Sequence, residues 1–172
     1  MMIGCRSAPS TPPSTLPSPL GPAPPAAKVL EGRLSAEEAR HLQTVRWIHE
    51  GSGIITRLRE SGALADSVEW IVPGPSSVLP FAGRWVGLAG IAEFARRLDA
   101  TMRYDRVELR EYLASANSVA AVFVGEGIAR ATGRPFRSEI LRLYTFDERS
   151  GKILRVRNYY DSAAYVAAVR GE

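Results

Sequence analysis

The spacing of apolar residues changes along this chain from a helical period to a strand period. Leu42, Val45 and Ile48 recur three residues apart, which places them on one face of an α-helix. Ser35 and Glu38 precede this stripe as a capping box, in which each side chain accepts a hydrogen bond from the other residue's backbone amide. The pattern therefore predicts a first helix that starts near residue 35.

Two further helices are predicted before the main run of strands. A short one covers 54–58, after a Gly-Ser-Gly interruption. The other follows residue 85, and its apolar face is formed by Leu88, Ile91, Phe94 and Leu98. Between these two helices, residues 67–72 have strand character, and Pro73 and Pro75 end that strand because they lack amide donors. A loop is predicted over 76–85.

Four longer segments of strand character follow the helices. They are 106–115, 118–132, 135–146 and 152–160. Turn residues join them through short connections, and short connections make neighbouring strands antiparallel. A last helix is predicted over 162–169. Helices first and an antiparallel sheet afterwards make an α+β fold.

The start of the chain differs from the rest in composition. Eight of the twelve prolines fall between Pro9 and Pro25, mixed with Ser, Thr and Ala. Such a stretch buries too little apolar surface to offset the entropy of ordering it. We therefore predict a disordered Pro/Ser-rich tail over 1–33 and one folded domain over 34–172, a length that can form a real core.

Residues 2–5 resemble the end of a bacterial lipoprotein signal, with a small residue before Cys5. The basic and apolar regions of such a signal do not precede it in this sequence. We therefore predict a cytoplasmic protein. The alternative is a lipoprotein tethered through Cys5, whose true start lies upstream.

Composition excludes several classes of function. The net charge is only +4, and no aromatic-basic motif occurs, so we predict no nucleic-acid binding. With Cys5 alone, an intrachain disulfide is excluded. His41 and His49 lack an acidic third ligand at the spacing of a zinc helix, so we predict no metal site. No apolar run approaches the ~20 residues of a membrane span.

Two carboxylates are the candidate catalytic groups. Glu139 lies inside a predicted strand, and Asp161 ends the last strand. If the turn at 147–151 sets the register, residue 139 lies opposite 160 or 161, and the two acids are neighbours. Paired carboxylates in an apolar cavity repel each other, so one pKa rises and the two can share a proton.

Each acid also has an ordinary structural interpretation. Glu139 can face outward and pair with Arg137 or Arg157. Asp161 can cap the final helix, since an aspartate at that position accepts a hydrogen bond from a free backbone amide. Capping and a role in a pocket are compatible for Asp161.

The sequence VEWIVPGP at 68–75 and the sequence GKILRVRNYYD at 151–161 carry a family resemblance. They are similar to the SnoaL-like and ketosteroid isomerase-like proteins of the nuclear transport factor two-like superfamily, over about residues 36–170. The resemblance implies a cone-shaped α+β barrel, with N-terminal helices packed on a strongly curved, mostly antiparallel sheet. It also implies a ligand pocket inside the cone and a homodimer formed through the outer sheet face.

Within this fold, the large apolar residues are candidates for the pocket wall. Such pockets are mostly apolar with a few convergent polar groups. The candidate ligand-binding residues are Trp47, Trp70, Phe81, Trp85, Phe94, Leu141 and Tyr160. Each of them can also be an ordinary core residue.

The resemblance places catalytic positions on particular residues. In ketosteroid isomerases a tyrosine and a protonated acid hold the developing enolate, and an aspartate moves the proton. The position of that acid falls on Glu139, that of the tyrosine on Trp47 and that of the base on Trp70. Of these three catalytic positions, one therefore keeps an acid and the other two hold tryptophan.

Limonene epoxide hydrolases share the Tyr-aromatic-Asp ending, and Asp161 matches their catalytic aspartate. Their arginine and second aspartate fall on Gly127 and Ala129, so that set is incomplete as well. Together with Gly125, these small residues predict room on the strand for a bulkier ligand. SnoaL-type polyketide cyclases also use an acid near the chain end, where Asp161 stands.

Two functions are compatible with these residues. The first is a cofactor-free enzyme that transfers a proton on an apolar cyclic or polyketide-like molecule, in an isomerisation, cyclisation or dehydration. Asp161 would be the base and Glu139 a protonated donor. The alternative is a non-catalytic module of the same fold, which binds a hydrophobic ligand or dimerises.

Overall fold

The computed structural model of the chain describes residues 28–29, 34–50 and 53–172. The helices are α1 (Ala36–His49), α2 (Ile54–Glu60), α3 (Gly87–Thr101) and α4 (Ser162–Arg170). The strands are β1 (Lys28–Val29), β2 (Leu64–Val72), β3 (Gly83–Val86), β4 (Met102–Ser115), β5 (Ser118–Ala129), β6 (Pro135–Phe146) and β7 (Ile153–Tyr160).

The predicted capping box at the start of α1 is confirmed. Glu38 N donates to Ser35 Oγ (3.2 Å), and Ser35 N donates to Glu38 Oε2 (2.7 Å). The second carboxylate oxygen of Glu38 accepts from Ala116 N (2.7 Å) in the turn between β4 and β5. One side chain therefore both starts the helix and joins it to the sheet.

The strands form one mixed sheet in the order β1-β4-β5-β6-β7-β2-β3. The pairs β4–β5, β5–β6, β6–β7 and β2–β3 are antiparallel, whereas β1–β4 and β2–β7 are parallel. The predicted α+β fold with N-terminal helices and a mostly antiparallel sheet is confirmed. The cone shape and the strong curvature stay predictions.

Strands β2 and β4 begin earlier than predicted, at Leu64 and Met102, and three further details differ from the sequence prediction. Gly83–Val86 pairs with β2, although this segment was expected to be loop, because four mostly exposed residues show no clear alternation. Strand β5 ends at Ala129, where a turn closes with Gly133 N donating to Ala129 O (2.8 Å). Lys28–Val29 pairs with β4 inside the stretch expected to be a disordered tail. The rest of that tail, with Cys5, lies outside the described residues.

The sheet has two distinct faces because neighbouring residues of a strand point to opposite sides. The inner face carries Trp70, Phe123 and Ile140, and it packs against the helices, as shown by Trp70 and Phe94 with ring centroids 5.4 Å apart. The outer face carries Glu139, which pairs in register with Val124. The helices and the inner face together enclose the core.

Candidate ligand-binding cavity

A cavity with two adjoining lobes lies between the inner face and the helices. Four residues line both lobes: Leu98, Tyr104, Ile140 and Arg142. The larger lobe has a volume of about 350 Å³, and its further lining is Ile48, His49, Ile54, Val107, Leu109 and Phe123. The smaller lobe has a volume of about 40 Å³, and its further lining is Val72, Phe81, Phe94, Asn158, Tyr160 and Tyr165. We call the two lobes together the interior cavity.

Arg142 projects from β6 into both lobes. Its Nε donates to Asn158 Oδ1 (2.9 Å), and Asn158 Nδ2 donates to Ile71 O (3.3 Å), which fixes the amide with its oxygen toward the guanidinium. The guanidinium carbon lies 5.0 Å from the ring centroid of Trp70 and 5.4 Å from that of Phe123. These distances are typical of cation–π contacts. Arg142 is therefore held by an amide and two aromatic rings.

No carboxylate of residues 34–50 and 53–172 lies within 4.0 Å of the Arg142 guanidinium. Ten other arginines in these ranges do form ion pairs with acids. A third cavity beside Trp70 is bordered by Asp99, but that carboxylate pairs with Arg130 (2.7 Å). The positive charge of Arg142 is thus not neutralised by a neighbouring acid in the described chain.

His49 reaches the larger lobe from the last turn of α1. Its Nε2 lies 2.7 Å from the Tyr144 hydroxyl, and its ring lies 4.7 Å from that of Phe123. Burial, reinforced by the charge of Arg142, lowers the pKa of His49 to about 3, because both disfavour the protonated ring. The imidazole is therefore neutral at pH 7.

Three tyrosines provide hydroxyl groups at the smaller lobe. The hydroxyls of Tyr104 and Tyr165 lie 2.8 Å apart, and the Tyr160 hydroxyl donates to Pro73 O (2.6 Å). Burial raises the pKa of Tyr104 to about 12 and raises the pKa values of Tyr160 and Tyr165 as well. These hydroxyls stay protonated at pH 7, so Arg142 is the one charged residue among those that line the interior cavity.

Four of the seven predicted wall residues do border this region. Phe81, Phe94 and Tyr160 line the smaller lobe. Trp70 stacks beside Arg142 and borders the adjoining third cavity. Its ring is fully buried, and its Nε1 has no hydrogen-bond partner among the described residues.

The other three predicted wall residues lie elsewhere. Trp47 faces away from the cavity on α1, where the Arg57 guanidinium stacks on its ring at 4.5 Å. Trp85 donates from Nε1 to Phe81 O (3.0 Å) and packs under Arg97. Leu141 belongs to the outer face, because it alternates with the lining residues of β6. The structure therefore does not place these three residues at the interior cavity.

The predicted pairing of β6 with β7 is confirmed, but neither acid enters the cavity. Ile140 pairs with Tyr160, so positions 139 and 161 flank the last pair of the ladder. Glu139 is exposed on the outer face, one residue out of phase with the cavity, and Arg137 pairs with Glu126 instead. Asp161 is exposed and caps α4, accepting from Ala163 N (2.9 Å). The structure therefore separates both acids from the candidate ligand site.

The small residues of β5 do not leave space for a ligand as expected. A Cβ atom on Gly125 would lie 2.8 Å from the Tyr104 ring, and one on Gly127 would lie 1.9 Å from Arg103 O. The neighbouring strand β4 fills this room. The glycines therefore allow close approach of two strands, which places the Tyr104 ring beside the cavity.

Sequence reasoning missed Arg142 and His49. Both faces of β6 carry apolar residues, so alternation alone could not decide which face is inner. His49 could have been found, since it lies four residues after Val45 and so continues the apolar stripe of the helix.

The described residues contain no cluster of three metal-ligating side chains. No helix in the same part of the chain is long and apolar enough to cross a membrane.

Comparison with known proteins gives both a family and a fold. The family model of the SnoaL-like domain matches residues 61–156. No curated protein matches the sequence. A proposed SnoaL-like polyketide cyclase from Jannaschia sp. CCS1 is 15% identical with a TM-score of 0.66, covering 83% of this chain and 99% of its own.

Two other solved structures contain small molecules. TerC, co-crystallised with polyporic acid, is 20% identical with a TM-score of 0.63, covering 76% of this chain and 98% of its own. A protein of ketosteroid isomerase-like fold from Catenulispora acidiphila, in complex with trimethylamine, is 14% identical with a TM-score of 0.55, covering 76% and 92%. At these identities the likeness shows the fold.

Proposed function

This chain is a member of the SnoaL-like domain family, and on that premise we propose that its interior cavity binds a small cyclic or polyketide-like molecule and transfers a proton on it. The observation that carries the proposal is a compact polar set inside apolar walls. Arg142 of β6 and His49 of α1 line the larger lobe, and the buried Tyr144 hydroxyl lies 2.7 Å from His49 Nε2. A mostly apolar cavity with a few convergent polar groups is the usual form of a ligand site.

These residues can divide the chemistry of an enolisation between them. A C–H bond beside a ligand carbonyl breaks, and its proton passes to the neutral ring of His49. The electron pair moves onto the carbonyl oxygen, where the guanidinium of Arg142 stabilises the negative charge. The proton then returns to a different carbon or to the oxygen. The developing anion favours the protonated imidazole, so the low pKa of His49 rises during the step.

The solved structures with bound molecules support a ligand function for the cavity. TerC was co-crystallised with polyporic acid, and the Catenulispora protein with trimethylamine. The Jannaschia protein is a proposed polyketide cyclase. These proteins share the fold of this chain, so they support a small organic ligand and leave its identity to experiment.

A second candidate function is binding without turnover. The absence of a carboxylate among the residues that line the interior cavity favours it. So does the low pKa of His49, because an imidazole with a pKa of about 3 is a weak base. In this case Arg142 and the tyrosine hydroxyls would orient a bound molecule, which would later dissociate without chemical change.

Exchange of ligand protons with solvent separates the two candidates without knowledge of the natural substrate. Cyclic ketones and polyketide esters are incubated with the protein in D₂O, and deuterium at the α-carbon is followed by NMR. We expect His49→Gln to lower the exchange rate about 100-fold or more, the usual loss on removing a general base. Glu139→Gln and Asp161→Asn serve as matched controls and should exchange at the rate of the unmodified protein.

Each other outcome has a definite meaning. Loss of exchange in Asp161→Asn or Glu139→Gln, with His49→Gln unaffected, would assign the chemistry to the two acids first expected from the sequence. Binding without exchange in the unmodified protein would establish the second candidate. Absence of both binding and exchange would contradict the proposed function.

We also propose a homodimer formed through the outer face. Leu141 and Tyr159 pair there, and Tyr159 is 45% exposed, so apolar surface is available at the centre of the face. Glu69, Arg84 and Arg155 form a charged edge. Light scattering after size exclusion should give the mass of a dimer, and Leu141→Asp should give a monomer. A monomeric unmodified protein would contradict this proposal.

A further inference from the structure

Arg142 occupies a position that is unfavourable for a charge. Its guanidinium lies between the rings of Trp70 and Phe123, inside a cavity with mostly apolar walls. The Arg142 side chain is only partly exposed, and withdrawing a charge from water even in part costs free energy unless a partner compensates it. Asn158 and the two rings compensate only in part, since neither carries an opposite charge. An anion bound beside Arg142 would complete the compensation.

The acids near the cavity are not available for this role. Each acid that adjoins a lining residue along the chain points away from it or already has a partner. The exposed ones are Glu50, Asp99, Asp105, Glu139 and Asp161. The paired ones are Glu93, with Arg96 and Arg97, and Glu108, with Arg106 and Arg110. No acid of the described residues is therefore left to neutralise Arg142 from inside.

The donors of Arg142 are arranged for an incoming anion. Nε is occupied by Asn158, and the guanidinium also lies within hydrogen-bonding reach of the Tyr144 hydroxyl, which leaves the remaining N–H groups of the terminal nitrogens to donate. A guanidinium binds a carboxylate through two parallel hydrogen bonds, and it is more weakly hydrated than an ammonium group, so it suits a partly dry site. Phe123 lines the larger lobe beside this group, and its ring gives the lobe a flat aromatic wall. The lobe of about 350 Å³ lies at the lower end of ligand sites, about 300–1,000 Å³, and suits one or two rings.

We propose that the interior cavity selects a planar cyclic ligand that carries an anionic oxygen group, a carboxylate or an acidic enol, and that Arg142 recognises this group. The inference rests on the proposed function and deepens it by giving the charge and shape of the ligand. Neutral ligands of the same shape would leave the guanidinium uncompensated. Cationic ones would place two like charges together in a poorly solvated space.

Three probes of one shape and different charge test the charge preference directly. They are 2-naphthoate, 2-naphthamide and 2-naphthylmethylammonium, titrated into the full chain by calorimetry. We expect the naphthoate to bind about tenfold to hundredfold more tightly than the amide, the usual gain from a hydrogen bond to a charged group. We expect no measurable binding of the ammonium.

Variants then assign the preference to one residue. Arg142→Met should abolish the difference between naphthoate and naphthamide, and Arg142→Lys should keep part of it because the charge remains. Arg157→Met is the matched control, since Arg157 stacks on Tyr159 (5.2 Å) on the outer face of the neighbouring strand. It should leave all three affinities unchanged. Circular dichroism establishes that each variant is folded, and the probe series on the unmodified protein stands even if Arg142→Met does not fold.

The possible results distinguish this inference from the proposed function. Equal binding of naphthoate and naphthamide overturns the inference and leaves a ligand-binding cavity in place. A naphthoate preference that persists in Arg142→Met, or that disappears in Arg157→Met, also overturns it. Binding of none of the three probes overturns the inference, whereas the deuterium-exchange experiment decides on the proposed function separately.

Discussion

The two faces of the sheet differ in how their charged side chains are paired, although the same strands form both faces. On the outer face, Glu69 lies between Arg84 and Arg155, and Arg137 pairs with Glu126. On the inner face, Arg142 lies among aromatic rings with no acid beside it in the described chain. Residues a few positions apart on β6 thus have entirely different electrostatic surroundings.

This difference indicates where a functional group is to be sought. A paired, solvated charge such as Arg137 contributes little to stability and needs no further explanation. A charge held in a poorly solvated cavity lowers stability, so it persists where it serves binding or chemistry. The inner arginine is therefore a better indicator of function than the acids around the cavity, because each of those acids is either exposed or already paired with arginines.

The largest expected effect comes from the aromatic wall of the inner face. Trp70 is fully buried, so Trp70→Ala should lower the free energy of unfolding by about 3–5 kcal/mol, as large-to-small changes in a core do. Trp47→Ala is the matched control, because Trp47 is half-buried under Arg57 on the other side of α1. Denaturant unfolding should show a loss of about 1–2 kcal/mol for it. Equal losses would contradict the assignment of the two tryptophans to different environments.

A smaller effect is expected from the titration of His49. The pKa of His49 is lowered from 6.5 to about 3 in the folded chain. Below pH 6.5 the unfolded chain therefore binds a proton that the folded chain does not, and stability falls with pH down to about pH 3. Between pH 7.5 and 4.5 this amounts to about 2–3 kcal/mol.

The variant His49→Gln isolates that contribution. Its free energy of unfolding should fall less than that of the unmodified protein over the same pH range, by about the same 2–3 kcal/mol. Denaturant unfolding at several pH values measures the difference. Parallel pH profiles for the two proteins would show that His49 is not buried in its neutral form.

The smallest expected effect belongs to Asp161. Its carboxylate accepts from Ala163 N at the start of α4, so Asp161→Ala should cost about 1 kcal/mol as the loss of a helix cap. Asp161→Asn should cost much less, since asparagine caps nearly as well. Thermal unfolding compares the two. If Asp161→Asn lowered ligand affinity more than it lowered stability, Asp161 would have a role in ligand binding beyond capping α4.

Most of the fold could be predicted from the sequence. The capping box of Ser35 and Glu38, the stripe of Leu42 to Ile48 and the strands of the C-terminal half each carry a local signal, and the structure confirms them. β3 could not be predicted, because a four-residue strand with mostly exposed side chains is defined by its pairing with β2 rather than by its own pattern.

The candidate site was less predictable because it depends on which of the two alternating sets of β6 residues faces the helices. In β6 the residues Glu139, Leu141 and Leu143 alternate with Ile140, Arg142 and Tyr144, and both sets contain apolar and charged residues. A shift of one residue exchanges the two faces. The family resemblance favoured the arrangement in which Glu139 faces inward. In the structure, Ile140 and Tyr144 pack beneath the helices instead, so Glu139 faces outward.

The most direct test of ligand binding in the interior cavity observes the three indole N–H groups by NMR while 2-naphthoate is added to ¹⁵N-labelled protein. Trp70 borders Arg142 in the cavity region, whereas Trp47 and Trp85 lie outside it. We expect the Trp70 signal to shift with added ligand and the other two signals to stay in place. A shift of Trp47 or Trp85 with Trp70 unchanged would contradict this expectation, because the ligand would then bind outside the interior cavity.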